Sequence, residues 1–283
     1  MSRDKGLNVP FSAPSLTWSG GQQSAVFFAI MSAMKFDLHI HSCLSPCASL
    51  EMAPGDIVAR ALAAGMGGIA ITDHNSAMNA PAMAARAKAA GLACLFGLEV
   101  QTAEETHTLA LFDTVEQALA MTEWVYAAMP KRVNDPDTFG DQPILSAEGE
   151  EDEIADLEWR ILAMGCRRTI PETSAKAHEL GGLYVAAHID RPNYSVVAAL
   201  GDIPSAPDGS PYFDAVELSR TADETEWLPK AQGYAATRSS DAHNLDDVAR
   251  VWTEADIAEF SVAELKRAFA FRLTRPSPRL TRF

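Results

Sequence analysis

The feature that most constrains the fold is a regular alternation of two kinds of segment from Lys35 onward. Short runs of β-forming residues alternate with alanine-rich stretches of helical periodicity, and several of these stretches end at glycine. Such a rhythm is typical of repeated β-α units. Six or seven strands with helices between them favour a closed, TIM-like barrel over an open doubly wound sheet, although periodicity alone leaves both open. We predict strands at 36–40, 68–72, 92–100, 108–112, 183–189, 213–218 and 234–239, and helices at 54–64, 79–90, 114–129, 171–180 and 261–271.

Two terminal segments flank this rhythm. We expect residues 34–260 to form the main domain, with an N-terminal extension at 1–33 and a C-terminal helix and basic tail at 261–283. The extension contains prolines and a glycine pair without clear periodicity. Our hypothesis is therefore an over-extended start, with Met31 or Met34 as the natural first residue, and N-terminal sequencing of the native protein tests it.

A polar stretch at 130–156 interrupts the rhythm and contains the acidic run 148–153. We expect a solvated loop insertion here, with a lid over the functional site as the alternative. The C-terminal tail carries four arginines that we expect to be solvated: Arg272, Arg275, Arg279 and Arg282.

Composition limits the classes of partner. The chain has 283 residues, 47% of them hydrophobic, which excludes disorder as its main state. Its formal net charge is −15, so we expect no long nucleic acid partner. No run approaches the roughly 18 apolar residues of a membrane span, so we expect no membrane partner. Four cysteines do not make a disulfide scaffold in a chain of this length and favour a reducing cytoplasm: Cys43, Cys47, Cys94 and Cys166.

Histidines and isolated acids collect where the predicted strands begin or end. The side chains of His39 and His41 point to the same side of a strand, because alternate residues share a face, and both can reach one metal ion. Asp241 and His243 repeat this spacing after a later strand. Carboxyl ends of strands converge on one face of a barrel, so the whole set indicates a metal site there. The set comprises His39, His41, Asp73, His74, Glu99, His107, His188, Asp241 and His243.

In order and spacing, this set resembles the motifs of the polymerase and histidinol phosphatase (PHP) superfamily of metal-dependent phosphoesterases. The resemblance runs from about Lys35 to Trp252 and implies a distorted TIM-like (β/α)7 barrel, with the metal site at the carboxyl ends of its strands. It also implies two or three divalent ions, usually Zn, Mn or Fe. The motifs are Asp37-Leu38-His39-Ile40-His41-Ser42, Thr72-Asp73-His74, Gly97-Leu98-Glu99, His107, Ala187-His188 and Ser240-Asp241-Ala242-His243.

The resemblance further implies roles for these residues. Asp73, Glu99 and Asp241 would be the catalytic acids, with Asp73 orienting neighbours rather than binding metal. Glu99 would bridge the first and second ions. The implied ligands are His39, His41, Glu99 and Asp241 for the first ion, Glu99, His107 and His243 for the second, and His74 and His188 for the third.

The chain departs from the family pattern just after the first motif, where members carry a further His or Asp ligand. Cys47 lies six residues after His41, at the position of a His in some members. A thiolate suits Zn or Fe(II) and is a poor ligand for Mg, so Cys47 would favour softer ions. Glu51 and Cys43 are weaker candidates, and a redox pair of Cys43 with Cys47 is a further alternative.

A substrate phosphate also needs a fixed cation, and Arg191 and Arg220 are the best placed arginines. We therefore expect hydrolysis of a small phosphomonoester by a hydroxide that bridges two cations. A nucleotide, histidinol phosphate and the end of a short oligonucleotide are all open as substrates. The alternatives are a metal-dependent amidohydrolase and a non-catalytic, metal-stabilised PHP module.

Overall fold

The computed structural model describes residues 33–149 and 152–280. The predicted extension at 1–33 therefore lies outside the described residues, apart from its last position. The strands are β1 Met34–Ile40, β2 Gly68–His74, β3 Ala93–Gln101, β4 His107–Phe112, β5 Pro143–Leu145, β6 Ile154–Leu157, β7 Leu183–Ala186, β8 Ala215–Leu218, β9 Ala235–Arg238, β10 Thr253–Ala255 and β11 Thr274–Pro276. The helices are α1 Pro54–Ala63, α2 Ala80–Ala90, α3 Val115–Tyr126, α4 Pro136–Phe139, α5 Ile170–Glu179, α6 Val196–Leu200, α7 Glu224–Trp227 and α8 Val262–Ala270.

Nine strands form one sheet in the order β11-β10-β1-β2-β3-β4-β7-β8-β9. The hydroxyl of Thr274 in β11 donates to the carbonyl of Ala236 in β9 over 3.0 Å. Ile40 also forms a parallel bridge with Ala242, which follows β9. The two ends of the sheet therefore meet in a nearly closed barrel, and the predicted TIM-like fold is confirmed.

The barrel is distorted because β4 runs antiparallel to both of its neighbours, β3 and β7. Only residues 102–106 separate β3 from β4. A connection this short makes a hairpin, whereas a parallel crossover needs a dozen or more residues. The reversal places the first residue of β4, His107, beside the carboxyl ends of the parallel strands.

Local signals in the sequence account for several helix ends. Helix α3 begins with a capping box in which Thr114 and Gln117 satisfy each other's backbone amides. Thr169 and Glu172 form the same motif at the start of α5. Helix α2 ends at Gly91, whose φ of 71° is the left-handed conformation that glycine adopts without steric cost.

Apolar side chains on the two faces of the sheet form two buried layers. Ile69 and Ile71 of β2 belong to the layer that packs against the outer helices, together with Ile57 of α1. Ala70, which lies between them, belongs to the other layer, together with Leu265 of α8. The two-residue period of a strand therefore carries hydrophobic packing on both faces.

The insertion at 130–156 differs from the solvated loop that we expected. Its described residues contain α4 and a small antiparallel sheet of β5 with β6. The buried Asn79 side chain holds it in place, since it donates to the carbonyl of Pro143 over 3.2 Å and accepts from the amide of Leu145 over 2.8 Å. These elements were not predicted because each is only three or four residues long.

The described arginines of the C-terminal tail, Arg272, Arg275 and Arg279, are exposed, and two of them form ion pairs at the surface. Arg275 forms an ion pair with Asp256 at 3.3 Å, and Arg279 forms one with Asp223 at 2.6 Å. Arg282 lies outside the described residues. Within the described part of the chain, every helix is too short or too polar to cross a membrane.

Candidate metal centre

The predicted histidines and acids come together at one end of the barrel. β1 carries His39 and is followed by His41, β2 ends at His74, and β3 carries Glu99 near its end. The reversed β4 contributes its first residue, His107. The remaining members follow later strands: His188 lies after β7, and Asp241 and His243 lie after β9.

Glu99 lies at the centre of this cluster and is 1% exposed. Its Oε1 lies 2.9 Å from His107 Nδ1 and 3.1 Å from His188 Nε2. Its Oε2 lies 2.9 Å from His74 Nδ1. The two oxygens therefore face different imidazoles, which is the geometry that a carboxylate needs to bridge two cations.

A second contact set surrounds His39 and His41. Their Nε2 atoms lie 3.1 Å apart, and Asp241 Oδ1 lies 3.3 Å from the first and 3.1 Å from the second. Two nitrogens bound to one zinc ion at about 2.05 Å in tetrahedral geometry would lie about 3.3 Å apart. The observed separation is close to that value.

The geometry groups two histidines differently from the sequence-based division. His188 contacts Glu99 beside His107, and the two rings lie 5.5 Å apart. His243 stacks on His41 at 4.3 Å and shares the Cys47 thiol with His74. These contacts put His188 beside His107 and put His243 beside Cys47 and His74, whereas the expected division placed His243 with His107 and His188 with His74.

Cys47 belongs to the cluster although its residue as a whole is exposed. Burial of the thiol opposes its ionisation, but hydrogen bonds with His243 and His74 outweigh that effect and lower the pKa of Cys47 to about 7. The neighbouring Cys43 is buried, and desolvation raises its pKa to about 12. A thiolate at the cluster is therefore much easier to form at Cys47 than at Cys43.

Burial and neighbouring charges favour the forms of Glu99 and His41 that bind cations, which are the ionised carboxylate and the neutral imidazole. Desolvation by itself would raise the pKa of Glu99, but the neighbouring imidazoles of His107, His39 and His74 hold that pKa well below its usual range. Burial lowers the pKa of His41 well below its usual value, and this favours the neutral, metal-binding form of the ring.

Several buried atoms lack a hydrogen bond of good geometry despite their close neighbours. Among the described side chains these include Glu99 Oε2, Asp241 Oδ2 and His188 Nδ1. His188 and Asp241 also adopt positive φ values of 27° and 48°. Unsatisfied buried polar atoms and backbone strain concentrate at functional sites. A donor set of imidazoles, carboxylates and a thiol therefore fits divalent metal ions.

Asp73 takes a different position from the other two predicted catalytic acids. Its Oδ1 accepts from the Ser42 amide at 2.7 Å and from the Ser45 hydroxyl at 2.6 Å, while Oδ2 accepts from the Ser42 hydroxyl at 2.6 Å. The Ser45 hydroxyl in turn lies 2.9 Å from His41 Nδ1. Asp73 therefore contacts the cluster through Ser45.

Sequence reasoning missed Glu217, which is fully buried. Its Oε1 lies 3.0 Å from His39 Nδ1 and accepts from the His188 amide at 3.2 Å. The sequence signal for Glu217 was an acidic residue within the apolar strand β8. Because a buried charge needs a partner, such a residue indicates a functional or structural contact.

The two predicted phosphate-binding arginines lie in different surroundings. Arg191 forms an ion pair with Asp241 Oδ2, and its side chain is 39% exposed. Arg220 instead pairs with Asp247 at 2.8 Å. Arg191 alone of these two contacts a member of the cluster.

A cavity of about 270 Å³ opens beside the cluster. The candidate ligands Cys47, His74 and His107 form one side of it. Gln101, Phe139 and Tyr194 contribute to the remaining walls. Phe139 comes from α4, so the insertion supplies part of the wall.

Comparison with solved structures establishes the same fold. The lesion-specific endonuclease from Pyrococcus furiosus matches with a TM-score of 0.62 and 20% identity, over 84% of this chain and 56% of its own. An endonuclease Q complex with a 27-mer duplex that has an abasic lesion at the active site matches with a TM-score of 0.61 and 19% identity, over 85% and 57%. This chain therefore spans little more than half of those enzymes.

A third structure is a two-domain protein from Bacteroides vulgatus that contains a predicted PHP-like metal-dependent phosphoesterase. It matches with a TM-score of 0.52 and 15% identity, over 87% of this chain and 65% of its own. The search of curated proteins finds no match.

Family models match two parts of the chain, which together make up more than half of it. Residues 37–157 match the PHP domain, and residues 229–272 match the PHP-associated model. The first includes the candidate ligands from His39 to His107, and the second includes Asp241 and His243. With these matches and the barrel fold, the chain belongs to the PHP superfamily.

Proposed function

We propose that this protein is a metal-dependent phosphoesterase that hydrolyses a small phosphomonoester. The observation that carries the proposal is the position of Glu99, whose Oε1 lies 2.9 Å from His107 Nδ1 and whose Oε2 lies 3.5 Å from His41 Nε2. Arg191 adds a cation beside the same cluster through its contact with Asp241. This combination provides sites for two cations and a donor for phosphoryl oxygens.

We divide the candidate ligands into three sets, two of which share Glu99. Potential ligand atoms lie close together for His39, His41 and Glu99 in one place and for His74, Glu99 and His107 in another. His41, His74 and His243 form a further grouping. We assign His39, His41, Glu99 and Asp241 to a first ion, Glu99, His107 and His188 to a second, and Cys47, His74 and His243 to a third.

Bound divalent ions would lower the pKa of water and offset negative charge on the phosphoryl group. The protein's own side chains do the remaining work. Arg191 binds a phosphoryl oxygen with its guanidinium, and Glu217 fixes the ring of His39 through Nδ1. Asp73 positions His41 through the Ser45 hydroxyl. We therefore assign Asp73 a positioning role and Glu99 and Asp241 direct roles in the site.

Three observations support a small substrate. The net charge of −15 repels long polyanions outside the site, and the cavity of about 270 Å³ lies just below the ~300–1,000 Å³ range of small-ligand pockets. Arg220, the second predicted phosphate ligand, is already paired with Asp247. Endonuclease Q acts on duplex DNA, so lesion-containing DNA is the second candidate substrate.

The free cysteines support a location in a reducing cytoplasm.

The test combines elemental analysis with activity assays on protein purified without chelator. We expect two or three Zn, Mn or Fe ions per chain and phosphate release from small monoesters. His107→Ala removes a candidate ligand and should lower both metal content and kcat/KM. His178→Ala is the matched control, because His178 pairs with Asp214 outside the cluster.

Three other outcomes would favour a different function, and a fourth would contradict the proposal. Nicking of duplex DNA at an abasic site without release from monoesters would favour the DNA substrate. Hydrolysis of amides alone would support an amidohydrolase, and bound metal without any turnover would support a non-catalytic module. Absence of bound metal would contradict the proposal.

A further inference from the structure

The cavity beside the metal centre has walls of two different chemical kinds. One side consists of the candidate ligands Cys47, His74 and His107. The remaining described lining residues carry no charged side chain, and two of them, Phe139 and Tyr194, are aromatic. A phosphoryl group at the ligands would therefore direct its ester substituent toward an uncharged, aromatic wall.

Tyr194 is held rigidly in this wall. Its ring stacks on that of His107, with centroids 4.6 Å apart and planes inclined by 14°. Its carbonyl accepts from the His107 amide over 2.8 Å, and its backbone has a positive φ of 58°. The residue is still 48% exposed, so its ring retains surface for a ligand.

Phe139 lies at the end of α4 and is also held in a defined place. Its amide donates to the carbonyl of Asp135 over 2.8 Å, and the next residue, Gly140, accepts from the Asn134 side chain over 2.8 Å. A Cβ added at Gly140 would lie 3.5 Å from the carbonyl of Pro46, so this turn packs on the loop that carries Cys47. Because the wall is preorganised, little ordering entropy opposes the binding of a ring.

The charges at the site limit the number of phosphates. Arg191 contacts the cluster through Asp241, whereas the cavity wall beyond the ligands offers only uncharged polar groups such as the Gln101 amide. A second phosphate in this cavity would lose its hydration without gaining a cation, which is costly.

We propose that this cavity selects esters with one phosphate and one flat, uncharged ring, and that Phe139 and Tyr194 form the ring-binding wall. The inference rests on the proposed phosphomonoesterase function and narrows its substrate class. Aromatic groups pack on aromatic walls with an advantage beyond buried area, whereas alkyl groups lack it. A nucleoside monophosphate or an aryl phosphate fits, and a bisphosphate or a glycerol phosphate does not.

The direct test is binding of phosphonates, which carry a P–C bond and cannot be hydrolysed as esters. Calorimetry on the metal-loaded protein compares phenylphosphonate with methylphosphonate. We expect phenylphosphonate to bind about tenfold more tightly. Phe139→Leu keeps most of the side-chain volume and removes the ring, so it should reduce this ratio by about fivefold. Phe139→Tyr should retain the ratio.

Phe271→Leu is the matched control, because Phe271 is 70% exposed and does not line the cavity. Equal affinity for the two phosphonates would overturn the inference, as would tighter binding of a sugar phosphate or of a nucleoside bisphosphate. Ring selectivity in binding, together with a complete lack of phosphate release, would support the pocket and contradict the proposed function. Equal rates of phosphate release from ring and alkyl esters, together with equal phosphonate affinities, would support the proposed function and contradict the ring-binding wall.

Discussion

Asp241 combines a strained backbone with a central position among the ligands. Its φ is 48°, and its Oδ1 lies 3.1 Å from His41 Nε2. Asparagine tolerates this conformation better than alanine does, so Asp241→Asn removes the charge with little backbone cost. We expect one fewer bound metal ion and a fall in kcat/KM of at least about 100-fold.

Elemental analysis and initial rates measure these two effects, and circular dichroism checks that the fold persists. Asp256→Asn is the control, because Asp256 pairs with Arg275 at the surface. Full metal content in Asp241→Asn would contradict its assignment as a ligand.

The ionisation of the Cys47 thiol can be tested by measuring its rate of alkylation as a function of pH. In metal-stripped protein its pKa of about 7 means that the thiolate fraction, and hence the rate of alkylation by iodoacetamide, rises as the pH increases through 7. Cys43 and Cys94, with pKa values raised by burial to about 12, should react slowly throughout this range. Mass spectrometry of each cysteine in the same sample supplies the internal control.

Loading with zinc should protect Cys47 from alkylation by at least about tenfold if its sulfur binds metal. Equal labelling with and without zinc would show that Cys47 is not a ligand.

At the residue scale, the sequence indicated which side chains belong to the cluster, but it did not indicate which of them contact one another. Strand-end spacing identified His188 and His243 as members of the cluster. It could not show which neighbours they contact, because contacts across a barrel depend on strand order and loop paths rather than on spacing. Glu217 was missed since its role depends on a hydrogen bond to His39, which is distant in sequence.

Among the elements, β3 and β4 depend on the absence of a side chain at Gly97. A Cβ there would lie 2.2 Å from the carbonyl oxygen of Ala110 in β4, and this backbone atom cannot move aside easily. We expect Gly97→Ala to lower the free energy of unfolding by about 3 kcal/mol. It should also separate Glu99 from His107 and thereby weaken metal binding.

Urea denaturation and metal titration measure the two effects. Gly91→Ala is the control, since Gly91 has a positive φ but no atom within 4 Å of the added Cβ, and it should cost only about 1 kcal/mol. Equal stabilities of the two variants would contradict the steric argument.

Sequence periodicity predicted seven of the nine strands of the barrel sheet near their observed positions, because each contains buried apolar residues. Alternation carries no information about direction, so the reversal of β4 was not predicted, although the five-residue connection at 102–106 was a usable signal. The short strands β5, β6, β10 and β11 were missed because, unlike the four-residue strands β7 to β9, they do not lie within a longer run of β-forming residues.

For the whole molecule, metal binding should contribute strongly to stability. The cluster brings carboxylates and imidazoles together at one end of a barrel, and ions that bind only the folded state stabilise it. At 100 times the dissociation constant, one ion adds about 2.7 kcal/mol. For a domain of this size, that corresponds to an increase in Tm of about 5–10 °C.

Thermal unfolding of metal-stripped protein with added zinc or manganese measures this effect. Magnesium at the same concentration should raise the Tm less, since imidazole and thiolate are poor ligands for it. An unchanged Tm with all three ions would contradict a metal centre.

The reversal of β4 also bears on the order in which the centre assembles during biosynthesis. Glu99 and His107 belong to one hairpin and are separated by few residues, whereas Asp241 reaches them only after the rest of the barrel chain has been made. Contacts between residues close in sequence form faster than distant ones. The emerging chain therefore carries a local pair of candidate ligands long before the barrel closes.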